Sequence, residues 1–376
     1  MKFIYFLIFN FLVLFLLNSC NNQHIKTEEG QTIPNKYATD FEIQEISDGY
    51  ILKVKNRFDQ TNSGTYNYYL SYEPESSPNS NVTIPIPVSK VACLSTSHIA
   101  FISTLNKTSS IKGISTPELV CNSDVSKLYA QGKIYNIGYD NQINYEKIIS
   151  ISPDVVFAFG VDNTSVSKFQ KLTDLGIPVV FVNDFTEAKP LGRSEWIKFF
   201  ACFYDKLNFA TEYFDSIENN YLNIKSSIPQ TTEKPKVLVS LPWKGTWWVP
   251  GGNSFFANFI NDAGGEYIFS NNNHSDSQGL NIEEVFAKAK NISFWLNPNN
   301  VNTKTEILSI DNRLEFFEPY KTAKIYNNNL KENQAGGNDF WESGILHPDI
   351  ILLDLKTIFH QDSTNIHNLY YYKQIN

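Results

Sequence analysis

From Val91 onward the chain alternates short, continuous apolar runs with helical stretches, and no other feature constrains the fold as strongly. The runs are VACL (91–94), IKGI (111–114), KIYNIG (133–138), DVVFAFG (154–160) and IPVVFVN (177–183), with helical stretches such as 163–176 between them. Strands apolar on both faces are buried on both faces, which predicts parallel sheets covered by helices on each side. The alternation pauses over 190–229, where Trp196, Phe199, Phe200 and Phe203, then Ala210, Tyr213, Phe214, Ile217, Tyr221 and Ile224, fall at helical spacing. No proline interrupts Asn208 to Ile228, 21 residues, enough for a helix about 30 Å long. The alternation resumes with KVLVS (236–240), a helix over 254–265, ISFWLN (292–297), KIYN (324–327) and a last helix near 347–359. The expectation is an α/β fold of two Rossmann-like lobes, each with a central parallel sheet, joined by one long bridging helix. A length of 376 residues agrees, since single cores stop growing near roughly 250 to 300 residues.

The chain before Val91 reads differently. Lys2 precedes fifteen largely apolar residues, Phe3 to Leu17, short of the roughly 20 that span a bilayer, so they read as an export leader. Leu17, Asn18, Ser19 and Cys20 resemble a bacterial lipoprotein box, which implies acylation of Cys20 and a membrane-anchored body in the periplasm. Asn18 departs from the small residue usual there. Alternating Tyr50, Leu52 and Val54, then Tyr66, Tyr68, Leu70 and Tyr72, around a turn-rich DQTNSG predict a β-hairpin. The expected organisation is a signal segment 1–19, a polar tether 20–39, a hairpin appendage 40–88, a first lobe 89–186, linking helices 187–229 and a second lobe 230–376. Cys93, Cys121 and Cys202 lack metal-site spacing and read as thiols, with a Cys93–Cys121 disulfide as the alternative.

One arrangement occurs twice. INYEKIISISPDVVFAFG (143–160) and LNIEEVFAKAKNISFWLNP (280–298) each place an Asn two residues before a Glu on a short amphipathic helix that leads into an apolar strand. Together with KLTDLGIPVVFV, VPGGNSFFANFINDAGG and PLGRSEWIKFF, these segments resemble the periplasmic binding proteins of ABC importers for cobalamin and ferric siderophores, including lipoprotein members of Bacteroidetes type. The resemblance covers most of 90–360. It implies that Glu146 and Glu283 dock the protein on a permease dimer whose ATPase subunits are separate chains, with Glu284 as the alternative for the second position. It also implies a monomer that closes only modestly on its ligand, because the bridge is a helix.

Open α/β sheets bind ligands beyond the carboxyl ends of their strands. Those loops hold Ser97 and His98, Tyr139 and Phe159 in the first lobe, and PWKGTWWVPGG (242–252) and GGNDFWESG (336–344) in the second. Trp243, Trp247, Trp248 and Trp341 are expected to form a broad apolar wall for a large chelate, an iron-siderophore or a corrinoid with haem as the alternative, and no permanently bound cofactor is expected. Arg193 either pairs with an anionic ligand group or ties the lobes together. The Asn clusters at 271–273, 299–300 and 327–329 read as loops without chemistry.

Other classes fit less well. A net charge of −8, or −9 without Lys2, with no basic stripe, disfavours nucleic acid. Free Zn or Mn uptake would gather His and carboxylates, and of six His only His98 falls at a suitable strand end. Catalytic signatures of hydrolases and nucleotide enzymes are absent, so no enzyme is expected.

Overall fold

The computed structural model describes residues 30–57, 64–73, 83–139, 142–160, 163–229, 232–360 and 367–376, with the side chains of 163–166 excepted. The leader and Cys20 lie outside these residues.

A five-stranded sheet comes first, in the order β1 (Gln31–Ile33), β2 (Phe41–Ile46), β3 (Gly49–Lys55), β4 (Thr65–Ser71) and β5 (Thr83–Pro85). The expected hairpin is its centre, with β3 and β4 paired from Gly49–Ser71 to Lys55–Thr65. Phe41, Ile43, Leu52, Val54, Tyr68 and Leu70 turn inward onto the main core. Residues 31–39, assigned to a tether on their polar composition, are instead ordered by two buried carboxylates. Glu195 accepts the backbone N–H groups of Lys36, Tyr37 and Ala38 at 2.9, 2.8 and 2.8 Å. Glu187 accepts those of Thr39 and Asp40 at 2.8 and 2.9 Å. Both acids come from the chain some 150 residues later, so local composition carries no trace of the clamp.

The first lobe contains β6 (Val91–Cys93), α1 (Thr96–Thr104), β7 (Ile111–Ile114), α2 (Ser123–Ala130), β8 (Tyr135–Asn136), α3 (Tyr145–Ile151), β9 (Val155–Ala158), α4 (Asn163–Asp174) and β10 (Val179–Phe181). Its strands lie in the order β10-β9-β6-β7-β8 and every pair is parallel. Then come α5 (Pro190–Cys202) and α6 (Leu207–Ser226). Pro190 opens α5, where its missing N–H costs nothing. Ala210, Phe214, Ile217 and Tyr221 form the buried stripe of α6, the bridging helix.

The second lobe runs through β11 (Lys236–Val239), β12 (Pro242–Trp243), β13 (Thr246–Val249), α7 (Phe255–Asp262), β14 (Glu266–Tyr267), β15 (Gln278–Leu280), α8 (Ile282–Lys288), β16 (Phe294–Leu296), α9 (Lys304–Ile310), α10 (Glu318–Lys321), β17 (Ile325–Asn327), α11 (Pro348–His360) and β18 (Lys373–Gln374). Its central sheet has the order β14-β11-β16-β17-β18, parallel except for β18. The fold is therefore α/β with two Rossmann-like lobes. Segment 242–252, expected as a loop, instead builds β12 and β13, which pair with β15 in a small antiparallel sheet. Cys93 and Cys202 are buried, Cys121 is half-buried, and all three are free thiols.

Candidate functional site

The two sheets bring the carboxyl ends of their parallel strands to one cleft. In the first lobe Ser95, two residues beyond β6, caps α1 by accepting the Ser97 N–H at 3.3 Å and sits 2.9 Å from the Ser97 hydroxyl. Phe159 follows β9, and Asp184 and Phe185 follow β10. These residues, with Arg193 on α5 and Phe255, Phe340 and Trp341 from the second lobe, line a cavity of about 260 Å³. It joins a larger space of about 1160 Å³ through the shared walls of Thr96, Arg193, Phe255 and Trp341. The larger space exceeds the roughly 300–1,000 Å³ usual for drug-sized ligands.

Arg193 is central to the junction. Its Nε donates to the Glu187 carbonyl at 3.1 Å and its Nη2 to the Phe185 carbonyl at 2.8 Å. The guanidinium lies 3.7 Å from the Phe255 ring centre, a cation–π contact that crosses between lobes. Burial pushes Arg193 down to about 10, opposed by the charges of Asp184 and Glu187. Burial also pushes the Asp184 carboxyl up to about 6, opposed by the Ser97 hydroxyl and by Arg193. The cation at the centre of the cleft thus has a carboxylate beside it. Arg193 thus joins Phe185 of the first lobe to Phe255 of the second, and Nη1 has no hydrogen-bond partner among the described residues.

The predicted aromatic residues divide into two groups. Trp243, Trp248 and Trp341 are 60, 49 and 45% exposed and line the larger space. Tyr139, expected at the ligand, is exposed but lines neither space; its ring lies 6.3 Å from Phe159, which in turn meets Phe185 edge-on at 6.3 Å. Trp247 does not line the cleft. Successive residues of β13 point to opposite faces, so Trp247 turns into the core, where its Nε1 donates to the Val239 carbonyl at 3.1 Å. His98 is also excluded from the cleft. The turn of α1 that leaves Ser97 at the cavity buries His98 against Phe157 and Phe200, and burial pushes its imidazole down to about 3, with the Phe157 backbone opposing.

Residues that sequence reading passed over complete the site. Asp184, Phe185 and Phe255 line it, and the second-lobe wall holds Asn297 and Asn299 beyond β16 and Asn328 and Asn329 beyond β17, three of them in clusters read from the sequence as loops without chemistry. The strand-end rule that picked out Ser97 and Phe159 points to these asparagines too. Among the described residues no group of three or more His, Cys, Asp or Glu is arranged to hold a metal ion.

Residues 91–325 match the model of the periplasmic binding proteins. The chain belongs to that family. An uncharacterized lipoprotein of Methanocaldococcus jannaschii is 31% identical over 290 residues, covering 74% of this chain and 67% of its own. A second from the same organism is 29% identical over 212 residues, covering 54% and 53%. The matched region thus spans between about half and two thirds of these relatives. A periplasmic binding protein from Veillonella parvula shares the fold with a TM-score of 0.60 at 14% identity, over 83% of this chain and 98% of that one. A periplasmic heme binding protein from Pseudomonas aeruginosa does so with a TM-score of 0.58 at 14% identity, over 77% and 98%.

In this periplasmic binding protein the repeated Glu segments are two copies of one helix start. Asn144 caps α3 by accepting the Lys147 N–H at 2.9 Å, and Asn281 caps α8 by accepting the Glu284 N–H at 2.8 Å. Glu146 and Glu283 occupy the second helical position of each, exposed and near the positive end of the helix. Ile143 with Ile148, and Leu280 with Val285, supply the apolar residues that flank such a start. Glu284 reaches back to the Asn281 N–H at 3.3 Å in a capping box, leaving Glu283 as the outward carboxylate of the pair. Glu283 meets Arg313 at 3.0 Å, and that bond draws its carboxyl below the usual range.

Proposed function

We propose that this periplasmic binding protein is the substrate-binding component of an ABC importer, anchored through Cys20 with its body in the periplasm, and that it carries a metal chelate, an iron-siderophore or a corrinoid. The carrying observation is the size and character of the interlobe cleft. A space larger than a drug-sized pocket, faced by Trp243, Trp248 and Trp341, suits a bulky ligand with broad apolar surfaces that brings its own metal coordination. Glu146 and Glu283, at equivalent positions on similar helices, are the proposed contacts with the permease, where a charge enclosed at an interface fixes orientation more than it adds affinity. The partner is a permease dimer with separate ATPase subunits, and the receptor acts as a monomer.

Titration of the soluble body, residues 21–376, tests this reading by tryptophan fluorescence corrected for ligand absorption. The probes are cyanocobalamin, a ferric catecholate, a ferric hydroxamate, haem and Zn²⁺. Saturable quenching by one chelate at submicromolar concentration is expected. A response to Zn²⁺ alone would replace the chelate reading with a metal-ion receptor, and silence for all five would remove chelates as cargo.

A further inference from the structure

The lobes also touch along a strip away from the linking helices. It joins residues 118–122, beyond β7 of the first lobe, to residues 333–342, beyond β17 of the second. Glu342, 2% exposed, takes the N–H groups of Cys121 and Asn122 on its two carboxylate oxygens at 2.7 Å each. Asn333 Oδ1 accepts the N–H groups of Ala335 and Gly337 at 3.0 and 2.9 Å, which turns its Nδ2 outward to the carbonyls of Glu118 and Val120 at 3.0 and 3.2 Å. Between these anchors Gly337 lies so close to Leu119 that a Cβ there would stand 2.1 Å from the Leu119 carbonyl oxygen. The φ of Gly337 is not positive, so the contact, and not the backbone, is what resists a side chain at this position.

A junction of this kind can part and re-form. Its N–H, carbonyl and carboxylate groups recover hydrogen bonds from water when they separate, whereas an apolar junction of equal extent would expose surface that water does not compensate. The strip is also continuous with the cleft. Leu119 on one side and Gly337 and Trp341 on the other line the larger space, and Trp341 directly precedes Glu342. Parting of the strip therefore moves walls that would hold a ligand, and by linkage a bound ligand holds the strip together.

We propose that this strip is a latch that gates the cleft: it holds the lobes together over cargo and parts to let cargo in or out, with Glu342 as its positioning residue and Gly337 as its close fit. The gating of cargo rests on the receptor reading above, and the latch rests on the contacts alone. Cys121 is its natural reporter. Burial, and next the Glu342 charge, pushes the Cys121 thiol up to about 12, so it stays protonated and unreactive while the strip is closed. Cys93 and Cys202, 1 and 0% exposed, lie in the core and react only if the protein unfolds.

Alkylation of the soluble body by iodoacetamide, followed residue by residue by mass spectrometry, tests the latch. E342Q sets an NH₂ group against one of the two N–H donors, and G337A presses a methyl group against Leu119 and the Asn333 amide. Each is expected to speed the labelling of Cys121 by about tenfold or more while Cys93 and Cys202 stay protected. G337A removes no hydrogen-bonding group, so it remains informative if E342Q fails to fold. The same variants are expected to release the probe about tenfold faster or more in stopped-flow tryptophan fluorescence, the probe being whichever of cyanocobalamin, the ferric catecholate, the ferric hydroxamate or haem the native protein binds. Unchanged Cys121 labelling in both variants would overturn the latch. So would joint labelling of all three cysteines, because the strip would then part only on unfolding. Faster labelling with unchanged probe release would overturn the gating of cargo. If no chelate binds the native protein, the cargo reading fails by itself and the labelling still decides the latch.

Discussion

Neighbouring residues of one strand have opposite consequences. Trp247 and Trp248 are adjacent in β13, one buried and one open. Trp247→Ala is expected to cost about 3–5 kcal/mol of stability in denaturant unfolding, because it empties a close-packed site that also touches Trp295 and Phe317. Trp248→Ala is expected to leave the unfolding midpoint nearly unchanged and to weaken chelate binding in the fluorescence titration. The reverse pattern would place the wrong indole in the cleft. Asp184 gives a pH signature. Its carboxyl is held at about 6 against an ordinary 3.8, so the folded state binds a proton more tightly than the unfolded one. That contribution is fully present below about 3.8 and is lost as the pH rises through about 6. Compared with Asp184→Asn, the native protein should therefore gain stability as the pH falls from 7 to 4, read as the difference between the two melting-temperature profiles. A flat difference would mean that the carboxyl is solvated.

Short helices here depend on their first turns. Asn144→Ala and Asn281→Ala each remove a side chain that accepts a backbone N–H and are expected to cost about 1 kcal/mol apiece in denaturant unfolding. Substitution of both Glu146 and Glu283 by Ala is a different experiment on the same turns. Both carboxylates are exposed, so chelate affinity should persist while transport by the reconstituted importer is lost; loss of affinity instead would show that these helices serve the cleft. Elements of this kind were legible in the sequence because their signals are local. Asn before Ile-Glu-Glu announces a capped helix, and the continuous apolar runs of β6, β9, β11 and β16 announce buried parallel strands. The small β12-β13-β15 sheet was not legible, since β15 joins it from about thirty residues away with only Gln278, Gly279 and Leu280. In the site, strand ends identified Ser97, Phe159 and the region of the exposed tryptophans. They could not tell His98 from Ser97, because which of two consecutive helix residues faces a cavity depends on how α1 packs against Phe157 and Phe200.

Across the whole molecule the lobes meet in more places than the bridging helix. Glu342, buried in the second lobe, accepts the N–H groups of Cys121 and Asn122 in the first, both at 2.7 Å. Asn333 Nδ2 donates to the carbonyls of Glu118 and Val120 at 3.0 and 3.2 Å. Burial pushes the Glu342 carboxyl up to about 7, opposed by its two N–H donors. Glu342→Ala leaves both N–H groups without their acceptor and is expected to cost about 2 kcal/mol. It should also widen the small-angle scattering envelope of the free protein. In the native protein, bonds on this side and a helix on the other favour a modest change on binding; a large drop in radius of gyration with ligand would contradict it.

The clamp made by Glu187 and Glu195 decides where force enters the molecule. Both acids belong to the linking region, one just before α5 and one within it, and they grip residues 36–40. Lys36 extends the grip to α6 through Glu218 and Asp215 at 2.5 and 2.9 Å. A leash to the membrane from Cys20 would therefore load the hinge side of the receptor rather than either jaw. Tension along it would leave the opening of the cleft unstrained, and a recombinant form begun after residue 40 would lose the N–H donors that satisfy two buried acids.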